Sequence, residues 1–138
     1  MALPHSDHAR YFYQAAMQRY DDARYLLDGF RTTGAVYLAG FSVECILKAL
    51  VLSAAPQRRQ YAIVKQFRGS KAHEFEWLKA KYYQGGGSLP PRDVTRAFAY
   101  VNRWHVSMRY NARTVRMREA QDFFAAAESI LNWADGRM

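Results

Sequence analysis

The chain is short of several things that would point to particular chemistries. Among 138 residues there is one cysteine, Cys45, so an intrachain disulfide is excluded and a reducing, cytoplasmic setting is expected. No two of the four histidines stand at metal-ligand spacing from each other beside cysteine or acidic partners, which argues against a zinc centre. The "GGGS" at 85–88 lacks the following lysine of a phosphate-cradling loop, and no serine or cysteine nucleophile signature is present. No metal and no cofactor is therefore expected. The longest apolar run, 34–55, is interrupted by Glu44 and Lys48 and falls short of the roughly 18–20 residues of a membrane span. "MALPHSDHAR" has no basic segment leading into an apolar one, so neither a secretory leader nor a membrane partner is expected. Sustained period-two alternation, internal repeats and low-complexity segments are all missing.

What is present is apolar, aromatic and basic. Half of the residues are hydrophobic, with ten tyrosines, eight phenylalanines and three tryptophans, enough for one well-packed core over a single domain, 1–138. The net charge is +8, which favours an anionic partner such as RNA, a nucleotide or an acidic protein.

The periodicity is helical. Over 9–30, Phe12, Ala16, Tyr20, Ala23, Leu27 and Phe30 recur at steps of three and four, with Ser6 or Asp7 placed to cap the start. Gly29 and Gly34 bracket a turn, with Thr32 or Thr33 in position to cap a second helix that runs to about Ser53 and stops before Pro56. Residues 56–72 are basic and mixed, with a short helix expected around Tyr61, Ile63, Val64 and Phe67, then a loop at "RGSKAH". A further helix is expected over about 74–83, on Phe75, Leu78 and Tyr82. "GGGSLPP" (85–91) reads as a flexible connection. Pro91 and Asp93 open the next helix, which carries Val94, Phe98, Val101, Trp104 or His105, and Met108. The pattern weakens at "RYNAR" (109–113). It resumes near 115, with Ala120, Phe124, Ala127, Leu131 and Ala134 on one face and Phe123 and Ile130 widening it. The predicted fold is all-α: an up-and-down four-helix bundle with one or two extra short helices.

Two constellations stand out. Glu44 and Lys48 are four apart on a stripe with Tyr37, Gly40, Phe41 and Val51. Spacing alone favours a surface ion pair worth a few tenths of a kcal/mol. The alternative is a partly buried carboxylate that orients an arginine or meets a ligand. The second constellation is the run between Asp93 and Glu119, where no acidic residue occurs and Arg96, Arg103, Arg109, Arg113, Arg116 and Arg118 are interleaved with Tyr100, Trp104 and Tyr110. Arginine forks suit phosphates, and the rings suit stacking on bases. Cys45, in an apolar helix, reads as inert core.

The order of these pieces resembles the HEPN family, the helical "higher eukaryotes and prokaryotes nucleotide-binding" domains. The pieces are "YDDARYLLDGF" (20–30), "GAVYLAGFSVECILKAL" (34–50), "AHEFEWL" (72–78), "WHVSMRY" (104–110) and "AAAESILNW" (125–133), with the Glu-x3-Lys of the second helix the most telling. The resemblance implies a four- or five-helix bundle, often a homodimer. Active ribonucleases of the family carry Arg-x4–6-His near the last helix. Their histidine moves the 2′-hydroxyl proton and their arginine stabilises charge on the phosphate, without metal. Arg109 matches the arginine in position, and Glu44 matches an acidic residue that steadies it. The histidine is missing: none occurs after His105, and Arg68-x4-His73 lies in the wrong place, where His73 reads as structural.

The reading favoured is a non-catalytic module. It would bind RNA, a nucleotide or a partner protein, for example a nucleotidyltransferase in a toxin–antitoxin pair. Its contacts would run through Arg103, Arg109, Tyr110, Arg113, Arg116 and Lys48. One alternative is a metal-independent endoribonuclease toxin with a degenerate site of Arg109, Glu44 and His105 or Tyr110. Another is a structural bundle that meets an acidic protein. Tyr37, Phe41 and the Trp104 region are expected at a dimer contact.

Overall fold

The computed structural model describes Pro4, residues 6–108 and residues 114–138, with the backbone alone for 105–108. The described residues form six α-helices and no strand: α1 (Asp7–Asp28), α2 (Thr32–Ala54), α3 (Gln57–Gln66), α4 (Phe75–Gln84), α5 (Arg92–Met108) and α6 (Met117–Asp135). A single 3-10 turn, Ser70–His73, joins α3 to α4.

The Ser6 hydroxyl caps α1 by accepting from the Ala9 N–H at 3.3 Å. Ala9, Tyr13, Ala16 and Ala23 go into the core from its inner face. At its other end Arg31 N–H bonds Leu26 O at 2.9 Å and Phe30 N–H bonds Leu27 O at 3.0 Å. This is the paired closure that puts one residue in the left-handed region. That residue is Phe30, at φ 63, not Gly29 beside it. The conformation turns the Phe30 ring outward, 79% exposed, which corrects its expected place on the core face.

The two threonines do not cap α2. The Thr32 hydroxyl donates to Val115 O, and the Thr33 hydroxyl accepts from Val115 N–H at 3.0 Å. They thereby fix the start of α6 beside the start of α2. At the far end, Tyr13 donates to Asp135 at 3.0 Å, so α6 finishes where α1 begins. Phe98 and Tyr82 both meet Trp133 edge-on, placing the start of α5 and the end of α4 at that same end. The long helices α1, α2, α5 and α6 therefore alternate in direction, as an up-and-down bundle requires. The short helices make the crossing from α2 to α5.

"GGGSLPP" is more constrained than its composition suggests. Gly86 has φ 96, and a Cβ on Gly87 would overlap the Tyr82 ring, so the backbone can lie against Tyr82 only because that residue is glycine.

Helix α2 is the centre of the molecule, with Ser42 through Leu52 buried without interruption. By length and composition it is apolar enough to cross a membrane, which corrects the sequence reading of that run; 83% of its most apolar stretch is buried inside the bundle. The expected faces of α4 and α6 are in the core: Phe75, Leu78 and Tyr82, and Ala120, Phe123, Phe124, Ala127, Ile130, Leu131 and Ala134.

Candidate functional site

Glu44 and Lys48 belong to the core, which overturns the surface-pair expectation. They are 2% and 7% exposed, and Lys48 Nζ donates to Glu44 Oε2 at 3.0 Å. The stripe they share is split in two. Tyr37 and Phe41 remain 62% and 37% exposed, while Glu44, Lys48 and Val51 are buried. Around the buried half lie Phe12 of α1 and Phe67, which ends α3. These two rings meet edge-on at 5.5 Å, and the Lys48 ammonium lies 5.8 and 5.6 Å from their centroids. The ammonium is thus held by a carboxylate and two π-faces in place of water.

The same carboxylate oxygen has a second partner. His73 Nδ1 lies 3.1 Å from Glu44 Oε2, bringing the 3-10 turn onto α2. The His73 side chain is 51% exposed. Its imidazole is oriented from below by a buried carboxylate while the rest of the ring reaches solvent. Sequence reasoning set His73 aside. The signal that could have found it lay in two separate pieces, the Glu-x3-Lys of α2 and "AHEFEWL", which only the fold joins.

Burial pushes the Cys45 thiol up from 9.0 to about 11, with the Glu44 charge adding to the effect. At neutral pH it is a packed, protonated thiol.

The arginine-rich surface is seen in part. Arg96, Arg103, Arg116 and Arg118 are exposed. The Arg103 guanidinium lies 5.7 Å from the Tyr100 ring, and Tyr100 and Trp104 pack with centroids 6.4 Å apart. The Tyr100 hydroxyl is raised above its usual pKa, first by burial and then by the charges of Asp122 and Glu119. The run without acidic residues in sequence therefore has α6 carboxylates beside it in space. Glu119 also accepts from the Arg116 N–H at 3.2 Å, tying down the first turn of α6. Arg109, Tyr110, Arg113 and the His105 side chain lie outside the described residues. Among the described residues, Glu44 has Lys48 and His73 as its partners, and Lys48 is turned inward, away from the role of a surface phosphate contact. No three His, Cys, Asp or Glu side chains converge as metal ligands among the described residues.

A family model described as the HEPN domain matches residues 9–137. No curated protein and no solved structure matches the chain.

Proposed function

We propose, for a chain that belongs to the HEPN domain family, that it is a binding module and not a nuclease. The observation that carries this reading is the sequence after Arg109, where no histidine occurs to complete Arg-x4–6-His. Without that imidazole nothing in the motif takes the proton from an attacking 2′-hydroxyl. What is left is the capacity to hold phosphate: four exposed arginines on and beside α5 and α6, one of them stacked on Tyr100. The ligand of this surface is RNA or a nucleotide, and the kind of protein that fits beside it is a nucleotidyltransferase of a two-component pair. The exposed Tyr37 and Phe41 are the contact of a homodimer, and the single buried thiol suits a cytoplasmic setting.

Incubation with mixed RNA in the absence of divalent metal tests this reading. The expected result is retention of RNA without cleavage. Cleavage by the wild type that disappears in Arg109→Ala overturns it.

One observation favours the nuclease alternative. His73, held by Glu44 and half in solvent, is an oriented imidazole four intervening residues after Arg68. Cleavage lost in His73→Ala but kept in Arg109→Ala would assign the activity there.

A further inference from the structure

From Pro56 to His73 the chain has no acidic residue, and its cations are Arg58, Arg59, Lys65, Arg68 and Lys71. The structure sorts these by face. Arg58, Tyr61 and Lys65 follow one another on α3 at steps of three and four, which makes one stripe of the helix, and Arg68 comes two residues past its end. All four are exposed, Tyr61 to 64%. The opposite face carries Gln60 and Phe67, both buried, flanked by the half-buried Ile63 and Val64. Gln60 Nε2 donates to Leu52 O at 3.0 Å, and its Oε1 accepts from the Ser6 hydroxyl. The helix is thus pinned to α2 and to the start of α1 from below, with its cationic edge turned to solvent.

No ion pair holds Arg58, Lys65 or Arg68 among the described residues. The α5 surface differs in its neighbours, since α6 brings Glu119 and Asp122 close to Tyr100. Lys65 Nζ lies 4.6 Å from the Tyr61 ring centroid, so the one aromatic ring is set within the row of charges.

We propose that this edge of α3 is a contact surface for single-stranded nucleic acid, separate from the arginine-rich surface of α5 and α6. Arg58 and Lys65 stand about 10 Å apart along α3 and Arg68 extends the row past its end, a length that matches the phosphates of about four stacked nucleotides at ~3.4 Å each. The exposed ring among them accepts an unpaired base by stacking, which a duplex does not offer and an acidic polypeptide does not need. Lys71 and His73, both exposed, follow in the 3-10 turn after α3. The surface stands whether or not the α5 arginines bind the same strand.

The test is fluorescence anisotropy of the full chain with a labelled oligouridylate, an oligothymidylate, a duplex of equal length and polyglutamate. Arg58→Gln, Lys65→Gln and Arg68→Gln together should lower the magnitude of the log–log salt slope on the single strands by about 2, at about 0.7 per phosphate contact. Tyr61→Ala should weaken single-strand binding about tenfold with the salt slope unchanged, and Tyr61→Phe should retain it. All four side chains are exposed, and circular dichroism verifies that each variant is folded. An unchanged slope in the triple variant overturns the proposal, as does binding of duplex or polyglutamate as tight as that of the single strand. Arg96→Gln, Arg103→Gln and Arg118→Gln together form the parallel variant. If these abolish binding while the α3 variants do not, the α3 surface falls and the reading of the α5 surface stands. The reverse result supports the α3 surface and removes the other. Equal response of RNA and DNA or a preference for one identifies the strand, and either supports the assignment.

Discussion

His73 Nδ1 lies 3.1 Å from Oε2 of Glu44, the oxygen that also accepts Lys48 Nζ at 3.0 Å. One buried carboxylate thus ties together two turns of α2 and the 3-10 turn after α3. Removing a single member of a buried ion pair leaves the other charge uncompensated, at a cost of about 3–5 kcal/mol. Glu44→Ala is expected to lose that much in urea denaturation. The double variant Glu44→Met, Lys48→Met should regain most of it, since a packed apolar pair needs no counter-charge. His73→Ala, at a half-exposed position, should cost only about 1 kcal/mol.

The Cys45 thiol titrates at about 11 in the folded chain against 9.0 ordinarily. Between those values the unfolded state has lost a proton that the folded state keeps, so stability falls as pH rises. The contribution is fully present below about pH 9. It is lost on the way to about 11, and amounts to roughly 2–3 kcal/mol for a shift of this size. Urea midpoints measured along that range should slope downward in the wild type and less steeply in Cys45→Ala. Tyr13, Tyr20, Tyr83 and Tyr100, all raised above 10.0 chiefly by burial, steepen the decline in both proteins at higher pH.

Thr33 accepts the Val115 N–H, and Thr32 donates to the carbonyl of the same residue. Thr33→Val keeps the shape and leaves that N–H without its partner, with an expected loss of about 1–2 kcal/mol. Amide exchange at Val115 should accelerate in this variant while amides in the middle of α2 keep their protection.

Phe30 adopts φ 63 with its ring in solvent. Phe30→Gly relieves an L-residue of the left-handed region and sacrifices no packing. The entropy of glycine in the unfolded chain offsets part of the gain, and the net expectation is a stabilisation of about 0.5–1 kcal/mol. A rise in thermal midpoint checks it. A fall would mean that the ring packs on the folded chain.

The helices were legible where one face is buried and the other wet. Ala120, Phe124, Ala127, Leu131 and Ala134 mark α6 because the periodicity records a boundary between core and water. In α2 that boundary is missing from Ser42 to Leu52, so a helical wheel could not say whether Glu44 and Lys48 face solvent. Their burial is imposed by Phe12, Phe67 and His73, residues distant in sequence. Phe30 was misplaced for a local reason: it continues the spacing of α1 but lies just past its end, where backbone chirality reverses the direction of the side chain. The missing histidine after Arg109 was visible directly, whereas the carboxylates beside Tyr100 emerged only once α6 was packed on α5.

The order of synthesis gives the centrality of α2 a further consequence. The helix is complete at Ala54, but α6, which covers it, does not begin until Met117. At roughly 5–20 residues per second the apolar helix waits several seconds without that cover. During that interval it presents to the cell an apolar segment long enough to be taken for a membrane anchor. A nascent chain stalled before α6 should be a client of chaperones and of membrane-targeting factors, and the released full-length chain should escape both.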